Sequence, residues 1–347
     1  MLLLVLVTAL ACSYLACHIQ QHRREEAAIR ELRALGANVT VQPVEDWICN
    51  CVVWRSVPYD TLTSIDLPGA HLPAAVSSLR ECRQLQSFIC RGATLDQSTM
   101  RVVADFPLLE KLDLAESTFV EDADNYIGEC ERLAHLNLSA SNITDRTSVR
   151  IARLRKLKSL TLDDTSITDH GVAYLAALPD LVALGISATE IRGDGLRWLA
   201  ENDNLACLNC DASPVDDRIA LYLESASAIM KLGLSDTHIS TGTLKSIAAL
   251  PKLSFLRLQG VQLSDRALTA LSSMHNLSAL DLRRCGLEDA DIPELLEVPA
   301  FRHIFISENG FTSEGMAVLS EHVRFREPHC DISSLLSEAS HDASLAE

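Results

Sequence analysis

Leu157-Lys158-Ser159-Leu160-Thr161-Leu162-Asp163-Asp164-Thr165-Ser166-Ile167-Thr168-Asp169-His170-Gly171-Val172 is the stretch that decides the fold. Its apolar residues Leu157, Leu160 and Leu162 follow the spacing apolar-x-x-apolar-x-apolar. The same hexad starts at Leu85, Leu109, Leu133, Leu157, Leu181, Leu205, Ile229, Leu253, Leu277 and Phe301, each 24 residues after the last. An earlier copy starts at Leu62, one residue short of the period, and a degenerate last copy follows at Phe325. Ten residues after the starts stand Leu95, Phe119, Ile143, Ile167, Ile191, Val215, Ile239, Leu263, Leu287 and Phe311. Eighteen after them the residue is again apolar in every copy, from Val103 and Ile127 to Leu295 and Leu319. Five columns that stay apolar through ten copies are not expected by chance from a chain that is 48% hydrophobic.

This is the leucine-rich repeat pattern, whose period runs from 20 to 29 residues. Each copy reads as one coil. The hexad is a short strand with alternating side chains, a turn follows, and a helical or irregular segment returns the chain. One coil cannot bury its own apolar face, so neighbours stack and bury it for each other. The expected fold class is α/β, a right-handed leucine-rich repeat solenoid (a horseshoe) of about eleven to twelve coils of 24 residues. The turn residues agree with this. The hydroxyl or amide eight residues after seven of the ten starts (Ser117, Ser141, Thr165, Thr189, Ser213, Thr237, Asn309) is suited to bonding turn backbone inside the stack. Asp145, Asp169 and Asp265 stand where a helix begins, so each is expected to cap its own helix through free N–H groups.

From about Arg24 to Ile332 the chain resembles the membrane-anchored leucine-rich repeat proteins of planctomycete-type bacteria. The likeness is carried by the Thr-x-Ile-Thr-Asp-x-Gly-Val repeat, the leader Ala28–Val41 and the closing Pro328-His329-Cys330-Asp331-Ile332. It implies a fold and an envelope setting but no ligand, because function lies in the surface of a repeat and not in its scaffold.

Length alone, 347 residues, suggests two domains. The repeat replaces this with an N-terminal membrane anchor or signal over 1–22, a helical leader and cap over 23–60, repeats over 61–332 and a disordered Ser-rich acidic tail over 333–347. The apolar start is about 17 residues long, roughly 25 Å as a helix against a hydrocarbon core of about 30 Å. A single transmembrane anchor is the preferred reading. A signal cleaved near Ala9-Leu10-Ala11 and a lipid on Cys12 or Cys17 stay open. Arg23 and Arg24 follow the span, which taken literally keeps the repeats in the cytoplasm, whereas the resemblance places them outside. We expect an extracytoplasmic repeat domain. Residues 24–35 should form an amphipathic helix burying Ile29, Leu32 and Leu35 and stopped by Gly36, with Asp46–Trp54 capping the open end of the stack.

Thirty Lys and Arg against 47 Asp and Glu give a net charge of −17, which argues against nucleic acid as a partner. No nucleophile elbow, phosphate loop, zinc-binding helix or dinucleotide-binding glycine run is present, so no catalytic residue, metal or cofactor is assigned. Cys207-x-x-Cys210 does not read as a metal or redox pair. On a strand the two point to opposite faces, Cys210 into the core and Cys207 outward as a surface thiol. Cys49-x-Cys51 lies outside the repeats, and pairing with Cys82 is one option beside free capping thiols.

What remains is the exposed, concave strand face, two, four and six residues after each start. Its middle is small or acidic, as at Ala183, Gly185, Ser187, Cys207, Asn209 and Asp211. Toward the C-terminus it becomes large and basic-aromatic. Phe255, Arg257, Gln259, Asp281, Arg283, Arg284, His303 and Phe305 are the candidate partner-binding residues, since aromatic residues and arginine dominate binding hot spots. The expected function is a non-catalytic protein-binding scaffold at a bacterial envelope, a monomer touching membrane only through its N-terminal segment. The alternative is a cytoplasmic adaptor or regulatory subunit using the same face.

Overall fold

The computed structural model describes residues 16, 20–43, 60–263, 265–298 and 303–322. The apolar start, the segment Asp46–Trp54 with Cys49 and Cys51, the closing motif at 328–332 and the acidic tail lie outside the described residues. No described helix is long and apolar enough to cross a membrane. The chain divides into two compact units, Met1–Leu133 and Ala134–Glu347.

The first unit opens with a helix over 20–34 that buries Ala28, Ile29 and Leu32, while Leu35 is half-buried. Gly36, at φ +84°, ends it in the left-handed region that glycine alone enters without strain. Strand β1 (Asn38–Pro43) then pairs antiparallel with β2 (Asp60–Asp66). The helix is tied to this first coil by two carboxylates. Glu25, 6% exposed, accepts the Leu62 N–H at 3.0 Å, and Glu31 accepts the Ser78 hydroxyl at 2.5 Å. Parallel strands follow. β3 (Ser87–Ile89) pairs with β2, and β5 (Lys111–Asp113) pairs with β3. The two-residue β4 (Thr94–Leu95) and β6 (Thr118–Phe119) pair in a second, small sheet.

The second unit is one parallel ladder of three-residue strands: β7 (His135–Asn137), β8 (Ser159–Thr161), β9 (Ala183–Gly185), β10 (Cys207–Asn209), β11 (Lys231–Gly233), β12 (Phe255–Arg257), β13 (Ala279–Asp281) and β14 (His303–Phe305). Register runs Ala183↔Cys207↔Lys231↔Phe255↔Ala279↔His303, so that equivalent residues of successive coils lie side by side. Short α- and 3-10 helices such as Asp145–Ile151, Asp194–Glu201 and Thr241–Ala248 return the chain. The described hexad residues are buried, as is the whole column from Val103 to Leu319. The column ten residues after each start is buried as well, except for Leu263 and Phe311, which are half-buried.

The hydroxyl column performs as its chemistry suggests. Thr165, Thr189 and Thr237 donate to the carbonyls of Leu162, Ile186 and Leu234 at 2.6, 2.8 and 2.6 Å. Ser213 accepts the Thr189 N–H, 24 residues away, at 3.1 Å. Asn309 bonds four backbone groups of two coils, the N–H groups of Cys285 and Leu287 and the carbonyls of Leu282 and Ile306.

The aspartate expectation is corrected at Asp145 and Asp169, while the Asp265 side chain lies outside the described residues. Asp169 does not cap its own helix; that cap is Thr168, whose hydroxyl accepts the His170 N–H. Asp169 instead reaches the next coil, accepting the N–H groups of Arg192, Gly193 and Gly195 at 2.9, 3.0 and 2.8 Å. Asp145 likewise accepts from the backbone and hydroxyl of Thr168, and Asp217 from Ser240 and Thr243. Stacking sets each carboxylate beside the unpaired N–H groups of the following turn, so the aspartates fasten one coil to the next.

A further regularity lies seven residues after each hexad start. Glu116, Ala140, Asp164, Ala188, Ala212, Asp236, Arg284 and Glu308 all have positive φ, between 50° and 62°, in register with Gly92 and Gly260. The left-handed region costs an L-residue roughly 1–2 kcal/mol, against about 0.5–1 kcal/mol of extra chain entropy for glycine. Ala188→Gly and Ala212→Gly should therefore each stabilise the protein by up to about 1 kcal/mol. Urea denaturation would show it, and a loss of stability in both variants would refute the strain argument.

Candidate functional site

The structure brings Phe255, Arg257, Asp281 and Phe305 together on β12, β13 and β14 of the second unit, on the strand face turned away from the core. It corrects the expectation that they are exposed: Phe255, Asp281 and Phe305 are buried among their neighbours on that face (7%, 3% and 7% exposed), and Arg257 is half-buried. Arg257, Asp281 and Phe305 share one row across the three strands. Gln259, Arg283 and Arg284 follow at the strand ends, half-buried, half-buried and exposed respectively. His303 lies on β14, and its side chain is outside the described residues.

The face is not simply basic, because each arginine is held by an aspartate. Arg283 grips the buried Asp281 carboxylate with two nitrogens, at 2.9 and 2.6 Å, and its guanidinium lies 6.0 Å from the Phe305 ring centroid. The Asp281 contact also raises the Arg283 pKa. Arg257 reaches across two coils to Asp211 at 2.5 Å, with both side chains about one-sixth exposed (16% and 15%). Arg284 spans the same separation to Asp236 at 2.9 Å, but that pair is over 40% exposed (43% and 44%) and contributes little to stability. Asp211 also accepts the Ser235 N–H at 2.7 Å. Burial pushes its pKa up, and the Arg257 charge and the Ser235 bonds pull it back only in part.

Asp211 stood out in the sequence only as a small acidic residue of the middle coils, and Asp236 not at all. Nothing in a 24-residue pattern says that an arginine will be met by a carboxylate 46 or 48 residues earlier.

Cys207 is a second correction. It does point away from the core, but it is 2% exposed and not a surface thiol. Strands about 4.8 Å apart set it between Ala183 and Lys231, and it joins Ala183, Phe255 and Ala279 in a small buried apolar cluster on this face. Burial raises its pKa, with the Lys231 charge opposing. Cys82, Cys90, Cys130, Cys210 and Cys285 are also buried free thiols. Burial pushes Cys82, Cys90, Cys130 and Cys285 up to about 12, so these groups are not poised as nucleophiles.

Elsewhere in this unit a cavity of about 130 Å³ is lined by Ile247, Leu250, Pro251, Leu253, Met274 and His275, among others. It shares no residue with the strand face and falls below the roughly 300 Å³ at which small-molecule pockets begin. Among the described residues no cluster of His, Cys, Asp and Glu is arranged to hold a metal ion.

No protein-family model matches the chain, and no curated protein matches its sequence. Among solved structures it is similar to an internalin of Listeria monocytogenes, with TM-score 0.54 and 17% identity over 82% of this chain and 94% of that one. Internalin C2 of the same organism aligns with TM-score 0.45 and 23% identity over 59% of this chain and 82% of that one. The first likeness concerns the fold alone, and it agrees with the parallel ladder and its buried columns in an α/β, solenoid-like leucine-rich repeat fold.

Proposed function

We propose that the chain is a non-catalytic, protein-binding leucine-rich repeat scaffold. Its binding surface is the strand face at Phe255, Arg257, Gln259, Asp281, Arg283, Arg284, His303 and Phe305. The observation that carries this is the preorganisation of the arginines. Asp211 and Asp281 hold Arg257 and Arg283 in place, and Phe305 lies beside the Arg283 guanidinium. Side chains already fixed lose less entropy when a partner arrives, so they yield more affinity per contact. In keeping with the resemblance to envelope-anchored repeat proteins, we place this face outside the cytoplasm, on a right-handed solenoid joined to a membrane through its N-terminal segment.

A photo-crosslinking residue at Gln259 tests the surface, with Lys245 on the opposite, helical side as control. Crosslinking to one discrete protein from Gln259 and not from Lys245, reduced about ten-fold by Arg284→Glu, is the expected result. Equal labelling from both positions would remove the proposal. A C-terminal alkaline phosphatase fusion should be active if the repeats lie outside. Activity absent there, together with fluorescence of a reporter that matures only in the cytoplasm, would favour the adaptor reading.

A further inference from the structure

Residues 146–158 hold six of the chain's 30 lysines and arginines and no acidic residue, although the whole carries −17. They belong to the helical side of the second unit, and none contributes to the strand face. Arg146, Arg153, Arg155 and Lys156 are exposed. Arg150 is half-buried and engaged within the protein, so it is set aside.

Two exposed apolar side chains sit among these cations. Val149, 39% exposed, lies one turn along the helix Asp145–Ile151 from Arg146, on the same side. Tyr174, 45% exposed, belongs to the 3-10 segment Ala173–Ala177, which packs against that helix. Arg155, four residues past the end of that helix, donates from Nη1 to the Ala177 carbonyl of the 3-10 segment at 2.6 Å.

Like charges gathered at this density repel one another and weaken the fold slightly. Among the described residues, no ion pair to Arg146, Arg153 or Lys156 offsets that repulsion. A partner carrying carboxylates would do so. We propose that Arg146, Val149, Arg153, Arg155, Lys156 and Tyr174 form a second docking surface that takes an acidic protein segment with apolar residues between its carboxylates. Three of the four exposed cations are arginines, whose planar fork pairs with carboxylates on two bonds, and an exposed Tyr stands beside them. That composition is typical of a protein interface, whereas an anionic bilayer attracts lysine equally well.

Fluorescence anisotropy on the full chain tests this with a fluorescein-labelled peptide of alternating Glu and Leu, and its Gln-Leu counterpart as control. The Glu peptide should bind, the Gln peptide should not, and added sodium chloride should weaken binding. The double variant Arg153→Glu/Lys156→Glu should bind about ten-fold more weakly or worse, with circular dichroism and melting unchanged. Lys252→Glu, an exposed cation of the second unit outside both surfaces, should leave binding as it was. The surface is disproved by failure of the Glu peptide to bind, or by equal binding to wild type and double variant. Sedimentation with phosphatidylserine vesicles, without any affinity for the Glu peptide, would also disprove it and assign the patch to lipid.

Discussion

Leu208→Asp should leave no folded protein at 25 °C, and Leu184→Asp should do the same. Both leucines are 0% exposed at the centre of adjacent strands in the second unit. Removing a buried leucine costs about 2–5 kcal/mol through lost transfer energy and the cavity left behind. The carboxylate adds several kcal/mol more, either as an unpaired buried charge or as the work of protonating it at neutral pH. The sum rivals the whole stability of an ordinary domain, about 5–15 kcal/mol.

A control in the outward column, two residues past the end of β9, behaves oppositely. Ser187 has a buried hydroxyl with no hydrogen-bond partner among the described residues, so Ser187→Ala removes an unpaired polar atom and should be neutral or slightly stabilising. Urea denaturation followed by circular dichroism separates the cases. Similar midpoints for the three variants would mean that the inward and outward columns have been confused.

Those columns were legible because apolar periodicity and burial have a common cause. A hexad such as Leu205, Leu208, Cys210 can sit in only one register if its apolar atoms are to leave water. The same logic carried over to Thr165 and Asn309, since a polar group recurring amid buried columns must find backbone partners. Legibility stopped where the partner lies in another coil. Asp169 looked like a cap for its own helix, and only stacking shows that the N–H groups of Arg192, Gly193 and Gly195 lie closer to its carboxylate. The left-handed column was hidden because only Gly92 and Gly260 advertise it, while Glu116, Ala188 and Arg284 adopt the same φ without any such signal. Cys207 misled for a related reason: alternation says which way a strand side chain points, but not whether Phe255 and the neighbouring coils cover it.

The same blind spot concealed how the candidate site is built, and it leads to a sharp test at Arg257. Arg257→Ala should destabilise the protein by about 3 kcal/mol at pH 7, because breaking a buried pair strands the remaining charge. Here that charge is the Asp211 carboxylate, which keeps the Ser235 N–H but loses its cation. The pH dependence follows from the direction of the Asp211 shift. Its folded pKa already lies above 3.8, with burial the largest cause, and removing Arg257 deletes the main opposing influence and raises it further. A carboxyl whose folded pKa exceeds its unfolded one favours the native state below the unfolded pKa, and that contribution is lost as pH rises through the folded value. The penalty of Arg257→Ala should therefore be full at pH 7 and shrink as the medium is acidified through the raised Asp211 pKa. In Asp211→Asn the same arginine change should cost much less, and the penalty should no longer depend on pH. A loss of equal size at every pH, undiminished in Asp211→Asn, would show that Arg257 stabilises this face by packing alone. The aspartate would then have no part in holding the arginine ready for a partner.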